Sequence, residues 1–115
     1  MKILLDECFP KDLHKSFSGH ECQTAPSVGF AGKRNGELLA LAERAGFQVL
    51  LTVDKRLPDQ QNLRGRIIAL LVVHARSNKL ADLLPHVPAC LQALKSIQPG
   101  QVMRVSAQKS RPGAG

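Results

Sequence analysis

The sequence contains no tryptophan and no tyrosine, and phenylalanine occurs only four times. Nucleic-acid readers that stack bases on aromatic side chains need more aromatic surface, so the composition argues against that class. Long hydrophobic runs are also missing, since the longest is about seven residues against roughly 20 for a membrane-spanning helix. The acidic pair Asp6-Glu7 interrupts any signal-peptide core. We therefore predict a cytoplasmic protein that does not associate with membranes.

Cysteine patterns of the zinc type and common nucleotide-binding motifs are absent as well. Cys8, Cys22 and Cys90 are odd in number and far apart, as is typical of free thiols in a reducing compartment. The sequence has no glycine-rich phosphate loop, no serine-hydrolase elbow and no His-Glu-x-x-His motif. No single local motif therefore assigns a function.

The apolar residues that are present predict the fold class. With 115 residues, 43% of them hydrophobic and 22% charged, the chain has the size and composition of one folded domain. Short apolar runs predict strands at 3–5, 21–25, 49–53, 67–73 and 101–105. Because helical patterns separate these runs, we predict a small three-layer α/β/α domain with a mainly parallel sheet of about five strands. It spans residues 1–105, and 106–115 are expected to form a flexible tail.

The helical segments are marked by capping and breaking residues. Asn35 is predicted to cap the clearest helix, and Gly46 to end it. Pro10 is predicted to begin a short helix after the first strand. Pro85 and Pro88 are predicted to divide a later helical region in two, with the second part starting at Pro88. The polar stretch 57–65 is predicted to be a loop.

Three carboxylates fall where a site would form. Asp6 follows the first strand, Asp54 follows the third, and Glu37 lies at the start of the clearest helix. Ligands of open parallel sheets bind outside the carboxyl ends of the strands, so these acids are expected to share one crevice. Two carboxylates about 4 Å apart repel by roughly 4 kcal/mol at an effective dielectric near 20, and Mg²⁺ would offset that repulsion. Turn and cap formation is the structural alternative for each acid.

Positive charge is concentrated in the second half of the chain. Residues 1–57 hold eight Lys and Arg and seven Asp and Glu, whereas residues 58–115 hold eight and two. Arg64 and Arg66 precede the strand at 67–73, and Arg76 and Lys79 follow it. An acidic pocket beside a basic rim is typical of metal-assisted phosphodiester chemistry, in which these four cations would bind RNA phosphates. A solvated basic surface is the alternative.

Five segments resemble one known family. Residues 1–10 (MKILLDECFP), 36–42 (GELLALA) and 50–55 (LLTVDK) resemble the small prokaryotic PIN-like domains, which are related to PIN-domain ribonucleases and toxins. Residues 60–66 (QQNLRGR) and 76–88 resemble one branch of that family. The resemblance covers roughly residues 1–105, with the segments in the same order as in the family.

The resemblance implies an α/β/α fold with an acidic crevice and a ribonuclease that depends on Mg²⁺ or Mn²⁺. Asp6, Glu37 and Asp54 match the family's metal-binding acids by position, and their implied role is to hold the metal that activates the attacking water. Many members are toxins held by an antitoxin protein, so RNA and an antitoxin are the implied partners. The oligomeric state stays open, and a homodimer is one of the alternatives.

The chain also departs from the family pattern. PIN nucleases commonly carry a fourth acid shortly after the position of Asp54, where this sequence has Lys55 and Arg56. Asp59 is the next acid and is the candidate replacement; otherwise the site holds one metal. A binding module with weak or no catalysis is therefore the alternative function.

A phospho-receiver domain is a third interpretation. Asp6, Glu7 and Asp54 imitate the acids of such a domain, including the aspartate that accepts the phosphoryl group. A receiver also needs Ser or Thr after its fourth strand and Lys-Pro after its fifth, where this sequence has His74 and Ser106. The basic net charge of the chain fits this interpretation poorly.

Overall fold

Five strands form a single parallel sheet. In the computed structural model, which describes residues 1–106, they are β1 (Lys2–Leu5), β2 (Glu21–Thr24), β3 (Val49–Thr52), β4 (Ala69–Val73) and β5 (Val102–Val105). Their order across the sheet is β2-β1-β3-β4-β5, and every neighbouring pair is parallel. The predicted α/β class with a mainly parallel five-stranded sheet is therefore confirmed. Apart from Ser106, the expected tail lies outside the described residues.

The helices are short, and several differ from the prediction. They are α1 (Asn35–Arg44), α2 (Leu57–Gln60), α3 (Leu80–Leu83) and α4 (Val87–Leu94), with 3₁₀ turns at Lys11–Ser16, Pro26–Val28 and Leu84–His86. The predicted loop at 57–65 was wrong in its first part, because Pro58 sits in the first turn of α2, where its missing N–H costs no hydrogen bond. The division at the two prolines is confirmed, although α4 begins at Val87, one residue before the predicted start at Pro88.

The helix starts predicted at Pro10 and Asn35 also differ from the observed ones by one residue. Pro10 precedes the first 3₁₀ turn with an extended ψ of 145° instead of beginning a helix. Arg34, not Asn35, takes the capping position of α1. Asn35 is the first helical residue and has a φ of 50°, a left-handed conformation that Asn adopts more readily than most residues. The stop at Gly46 is confirmed, since Gly46 has a φ of 90°.

Alternate residues of the strands point to opposite faces, and helices cover both. One core contains the odd-numbered strand residues, such as Ile3 and Leu51, packed with Leu83 and Leu94 from α3 and α4. The other contains the even-numbered residues, such as Leu50, packed against α1 and α2. The sheet is therefore the middle of three layers. Within residues 1–106, no helix is long and apolar enough to cross a membrane.

Glu43 fixes the segment that leads into β4. Its carboxylate accepts hydrogen bonds from the backbone N–H groups of Ile67 and Ile68 at 2.6 and 3.2 Å, and from the Arg66 guanidinium at 2.8 Å. Burial by itself would raise the pKa of Glu43, but these three donors outweigh it and lower the pKa. The ionised form therefore anchors the segment to α1.

We expect Glu43→Gln to lower the free energy of unfolding at pH 7 by on the order of 1–2 kcal/mol, because charge-assisted hydrogen bonds are lost. Since folding lowers the pKa from 4.5, the stabilisation is complete above that value and disappears as the pH falls through the folded-state pKa. Urea denaturation at pH 7 and pH 3 should show a smaller difference at pH 3. Glu21→Gln, at an exposed position of β2, is the control; equal effects of both variants would contradict the anchor.

Candidate functional site

A cleft of about 460 Å³ opens beside the carboxyl ends of β1 and β3. Its walls come from three segments: the residues after β1, the start of α1 and the residues after β3, namely Asp6, Glu7, Cys8, Lys33, Arg34, Asn35, Leu38, Val53, Asp54 and Leu57. The strand order reverses between β1 and β3: β2 lies beyond β1 on one side, and β4 and β5 lie beyond β3 on the other. Such a switch point in the strand order is where open α/β sheets bind ligands.

The Thr52 hydroxyl joins the two acids that end the central strands. Its Oγ1 donates to Asp6 Oδ2 at 2.9 Å and accepts from the backbone N–H of Asp54 at 3.1 Å. Thr52 is fully buried, so this hydroxyl is shielded from water. The sequence analysis did not single out this residue. Its signal was a lone hydroxyl in an otherwise apolar strand.

Asp6 is held inside the cleft at some electrostatic cost. Burial raises its pKa, whereas the hydrogen bonds from Thr52 and from the backbone N–H of Glu7 lower it. The nearby charges of Glu7 and Asp54 raise the pKa further. The net direction of the pKa shift is upward, with burial as its largest cause.

Asp54 and Glu7 also have structural tasks. Asp54 Oδ1 accepts from the backbone N–H of Arg56 at 2.9 Å, which closes an Asx turn after β3. Glu7 Oε1 accepts from the backbone N–H of Gly32 at 2.7 Å and ties the loop before α1 to the rim of the cleft. Gly32 has a φ of 81°, where a residue with a side chain would be strained. The turn-forming alternative thus applies to Asp54, alongside its place in the cleft.

Glu37 and Asp59 lie apart from the two central acids. The Glu37 side chain is 62% exposed and pairs with Lys33 at 3.5 Å on the outer side of the first turn of α1. Asp59 is exposed on α2 and lines a different surface depression with Arg64. Neither residue is among those that line the cleft. The structure therefore brings Asp6 and Asp54 together, with Glu7 as the third acid instead of Glu37.

The cleft is also lined by two cations that the sequence analysis did not select. Lys33 and Arg34 lie directly before α1 and line the same cleft as Asp6 and Asp54. A Lys-Arg pair before a predicted helix was visible in the sequence. Only the fold shows that the start of α1 lies over the ends of β1 and β3.

The four basic residues predicted to bind phosphate are divided between the two sheet edges. Arg64 and Arg66 precede β4 and lie at the amino edge, opposite the cleft, where Arg66 pairs with Glu43. Arg76 and Lys79 follow β4 and are exposed at the same edge as the cleft. The amino-edge pair cannot contact a ligand held between Asp6 and Asp54, because the sheet lies between them.

The donor set fits a hard cation held by few protein ligands. Within residues 1–106, no three His, Cys, Asp or Glu side chains are grouped closely enough to form a ready metal centre. Mg²⁺ commonly binds through one or two carboxylates and keeps several waters, which Asp6 and Asp54 can satisfy. Cys8 also lines the cleft but is a poor ligand, because burial raises the pKa of its thiol to about 11.

Comparisons of the chain with protein-family models, with curated proteins and with solved structures found no match. The site must therefore be interpreted from its own residues.

Thr52→Val should destabilise the metal-free protein by about 1–3 kcal/mol, because it leaves the Asp54 N–H and Asp6 Oδ2 without their shared partner. Thr52→Ser keeps the hydroxyl and is the matched control. Urea denaturation in EDTA measures both variants. If the valine variant is as stable as the serine variant, the hydroxyl does not join the strand ends.

Asp54→Asn should leave the metal-free protein within about 1 kcal/mol of wild type or make it more stable, because an amide oxygen can close the turn while repulsion of Asp6 is removed. Asp54→Ala loses the turn and should be less stable than Asp54→Asn by about 1 kcal/mol. Thermal unfolding in EDTA tests this order. Equal losses in both variants would show that the charge itself holds the turn.

Proposed function

We propose that this protein is a divalent-metal-dependent endoribonuclease of PIN-like type that hydrolyses phosphodiester bonds at the cleft. The observation that carries the proposal is the convergence of Asp6 and Asp54 at the ends of adjacent central strands, in a cleft that also holds cations. The charges of Glu7 and Asp54, which both raise the Asp6 pKa, support it, because a bound cation would offset their repulsion. The resemblance of residues 1–105 to PIN-like domains supports the same assignment.

In this proposal the acidic residues of the cleft bind the metal ion and the basic residues bind the phosphate. Bound Mg²⁺ or Mn²⁺ would supply Lewis acidity toward water and toward a phosphate oxygen. Asp6 and Asp54 would hold the ion, and Thr52 keeps the Asp6 carboxylate oriented. Lys33 and Arg34 would bind the phosphate.

Glu37 has an indirect task in this arrangement. It pairs with Lys33 and would orient that cation instead of holding the metal as the resemblance implies. We extend the proposal, on the resemblance alone, to a toxin that an antitoxin protein holds inactive. A gene for such a protein beside the gene for this chain would support that role.

A binding module with weak or no catalysis is the second candidate. The observation that favours it is the distance of Glu37 and Asp59 from the cleft, which leaves fewer acids than a two-metal nuclease uses. In this case RNA would bind without being cut. The two candidate functions differ in whether the protein cleaves RNA when a divalent metal ion is added.

A receiver domain is less well supported, although the strand order 2-1-3-4-5 is also that of flavodoxin-like folds, which include receivers. His74 follows β4, where a receiver needs a hydroxyl side chain. Ser106 follows β5, where a receiver needs a lysine. Labelling of Asp54 by acetyl phosphate would revive this interpretation.

Metal binding should raise the melting temperature of the wild type and not that of Asp6→Asn. At a metal concentration 100 times Kd, the stabilisation is about 2.7 kcal/mol, which corresponds to a rise on the order of 10 °C for a domain of this size. Melts in EDTA and in titrated Mg²⁺ or Mn²⁺ measure it. Glu37→Gln and Asp59→Asn are the matched controls and should keep the shift.

Cleavage of a labelled single-stranded RNA, followed by gel electrophoresis, completes the test. We expect metal-dependent cutting by the wild type, at least 100-fold slower cutting by Asp6→Asn and Asp54→Asn, and only a few-fold reduction in Glu37→Gln. A melting shift without cutting would transfer the assignment to the binding module. No shift at millimolar metal would remove the metal site.

A further inference from the structure

A second group of polar residues, two of them cations, lies beside the cleft, at the carboxyl ends of β3, β4 and β5. It consists of Lys55, His74 and Arg104, here called the cationic cluster. Arg104 Nη1 lies 3.3 Å from His74 Nε2 and 3.4 Å from the carbonyl oxygen of Lys55. The backbone N–H of His74 donates to the carbonyl oxygen of Val105 at 2.8 Å, which holds the end of β4 beside the end of β5. Three segments distant in sequence therefore converge here.

The imidazole of His74 is neutral and orients the arginine. A guanidinium can only donate hydrogen bonds, so His74 Nε2 accepts and the ring proton is on Nδ1. Burial lowers the pKa of His74, and the charges of Lys55 and Arg104 lower it further. At neutral pH the ring is thus an acceptor that holds one edge of the guanidinium and leaves its other donors free.

The two cations of the cluster have no acidic partner within residues 1–106. The ion pairs in this part of the chain use Lys15, Lys33, Arg56 and Arg66 as their basic members. Lys55 and Arg104 are both exposed, and the charge of each is close enough to His74 to lower its pKa. An anion bound beside them would accept hydrogen bonds from the Lys55 ammonium and from the guanidinium donors that Nη1 leaves unused.

The position of the cluster relates it to the cleft. Lys55 directly follows Asp54, and β4 and β5 are the next strands beyond β3. Neighbouring strands are about 4.8 Å apart, so the cluster begins roughly 5–10 Å from the ends of the central strands. This spacing suits neighbouring phosphates of one nucleic-acid strand that crosses the carboxyl edge of the sheet.

We propose that Lys55, His74 and Arg104 form a phosphate subsite that binds the RNA backbone beside the phosphodiester held between Asp6 and Asp54. This inference rests on the proposed function, because it takes RNA as the ligand of the cleft. Lys55 and Arg104 contact the phosphate, and His74 is a positioning residue that acts through Arg104. The strand therefore crosses from the acidic cleft toward β5.

The test separates binding from cutting. Fluorescence anisotropy in EDTA measures the affinity for a labelled 2′-O-methyl oligoribonucleotide, which cannot be cleaved, over a range of KCl concentrations. Lys55→Gln and Arg104→Gln should each weaken binding about fivefold and reduce the slope of log K against log salt by about 0.7. Arg44→Gln, an exposed arginine at the far end of α1, should bind as the wild type does.

Two further variants test the positioning role. His74→Gln keeps an acceptor for the guanidinium and should bind RNA nearly as well as the wild type, whereas His74→Leu should match Arg104→Gln. Circular dichroism confirms that each variant folds. Equal binding by both His74 variants would overturn the positioning role.

The outcomes distinguish this inference from the proposed function. If Lys55→Gln and Arg104→Gln bind like Arg44→Gln, the subsite is overturned even where the wild type cuts RNA. If they bind weakly while the wild type does not cut with Mg²⁺ or Mn²⁺, the subsite stands and the nuclease assignment fails. If the wild type does not bind the oligonucleotide in low salt, the subsite is overturned.

Discussion

The parallel pairing of β1 with β3 is the constraint on which the site depends. Ile3, Leu4 and Leu5 align with Val49, Leu50 and Leu51, and all six side chains are fully buried. Because helices cover both faces, neither strand can slip without exposing apolar surface to water. The pairing therefore fixes where each strand ends, and the Thr52 hydroxyl then links the acid after one strand to the backbone after the other.

This constraint makes the carboxyl edge of the sheet electrically asymmetric. Acids follow β1 and β3, whereas Lys55, His74 and Arg104 lie toward β5. The proposed function places a metal ion on the acidic side and a phosphate on the basic side. In that proposal a polyanion lies along the edge and meets a metal ion at one point of its path, as metal-assisted phosphodiester chemistry requires.

The start of α1 shows how local and tertiary requirements meet. Glu37 lies in the first turn, where a negative charge is favourable for the helix itself. Its pairing with Lys33 uses the carboxylate outside the cleft. Glu7 enters the cleft instead, because its hydrogen bond to Gly32 holds the loop before α1 against the end of β1.

The sequence by itself determined the strands, the parallel α/β class and the arrival of Asp6 and Asp54 at one sheet edge, because continuous apolar runs identify buried parallel strands and strand ends follow from them. Only the tertiary structure decided which other charges join them. Lys33, Arg34 and Arg104 reach the carboxyl edge through strand order and loop paths, while Arg64 and Arg66 lie at the amino edge. Those positions depend on long-range packing, which no local pattern encodes.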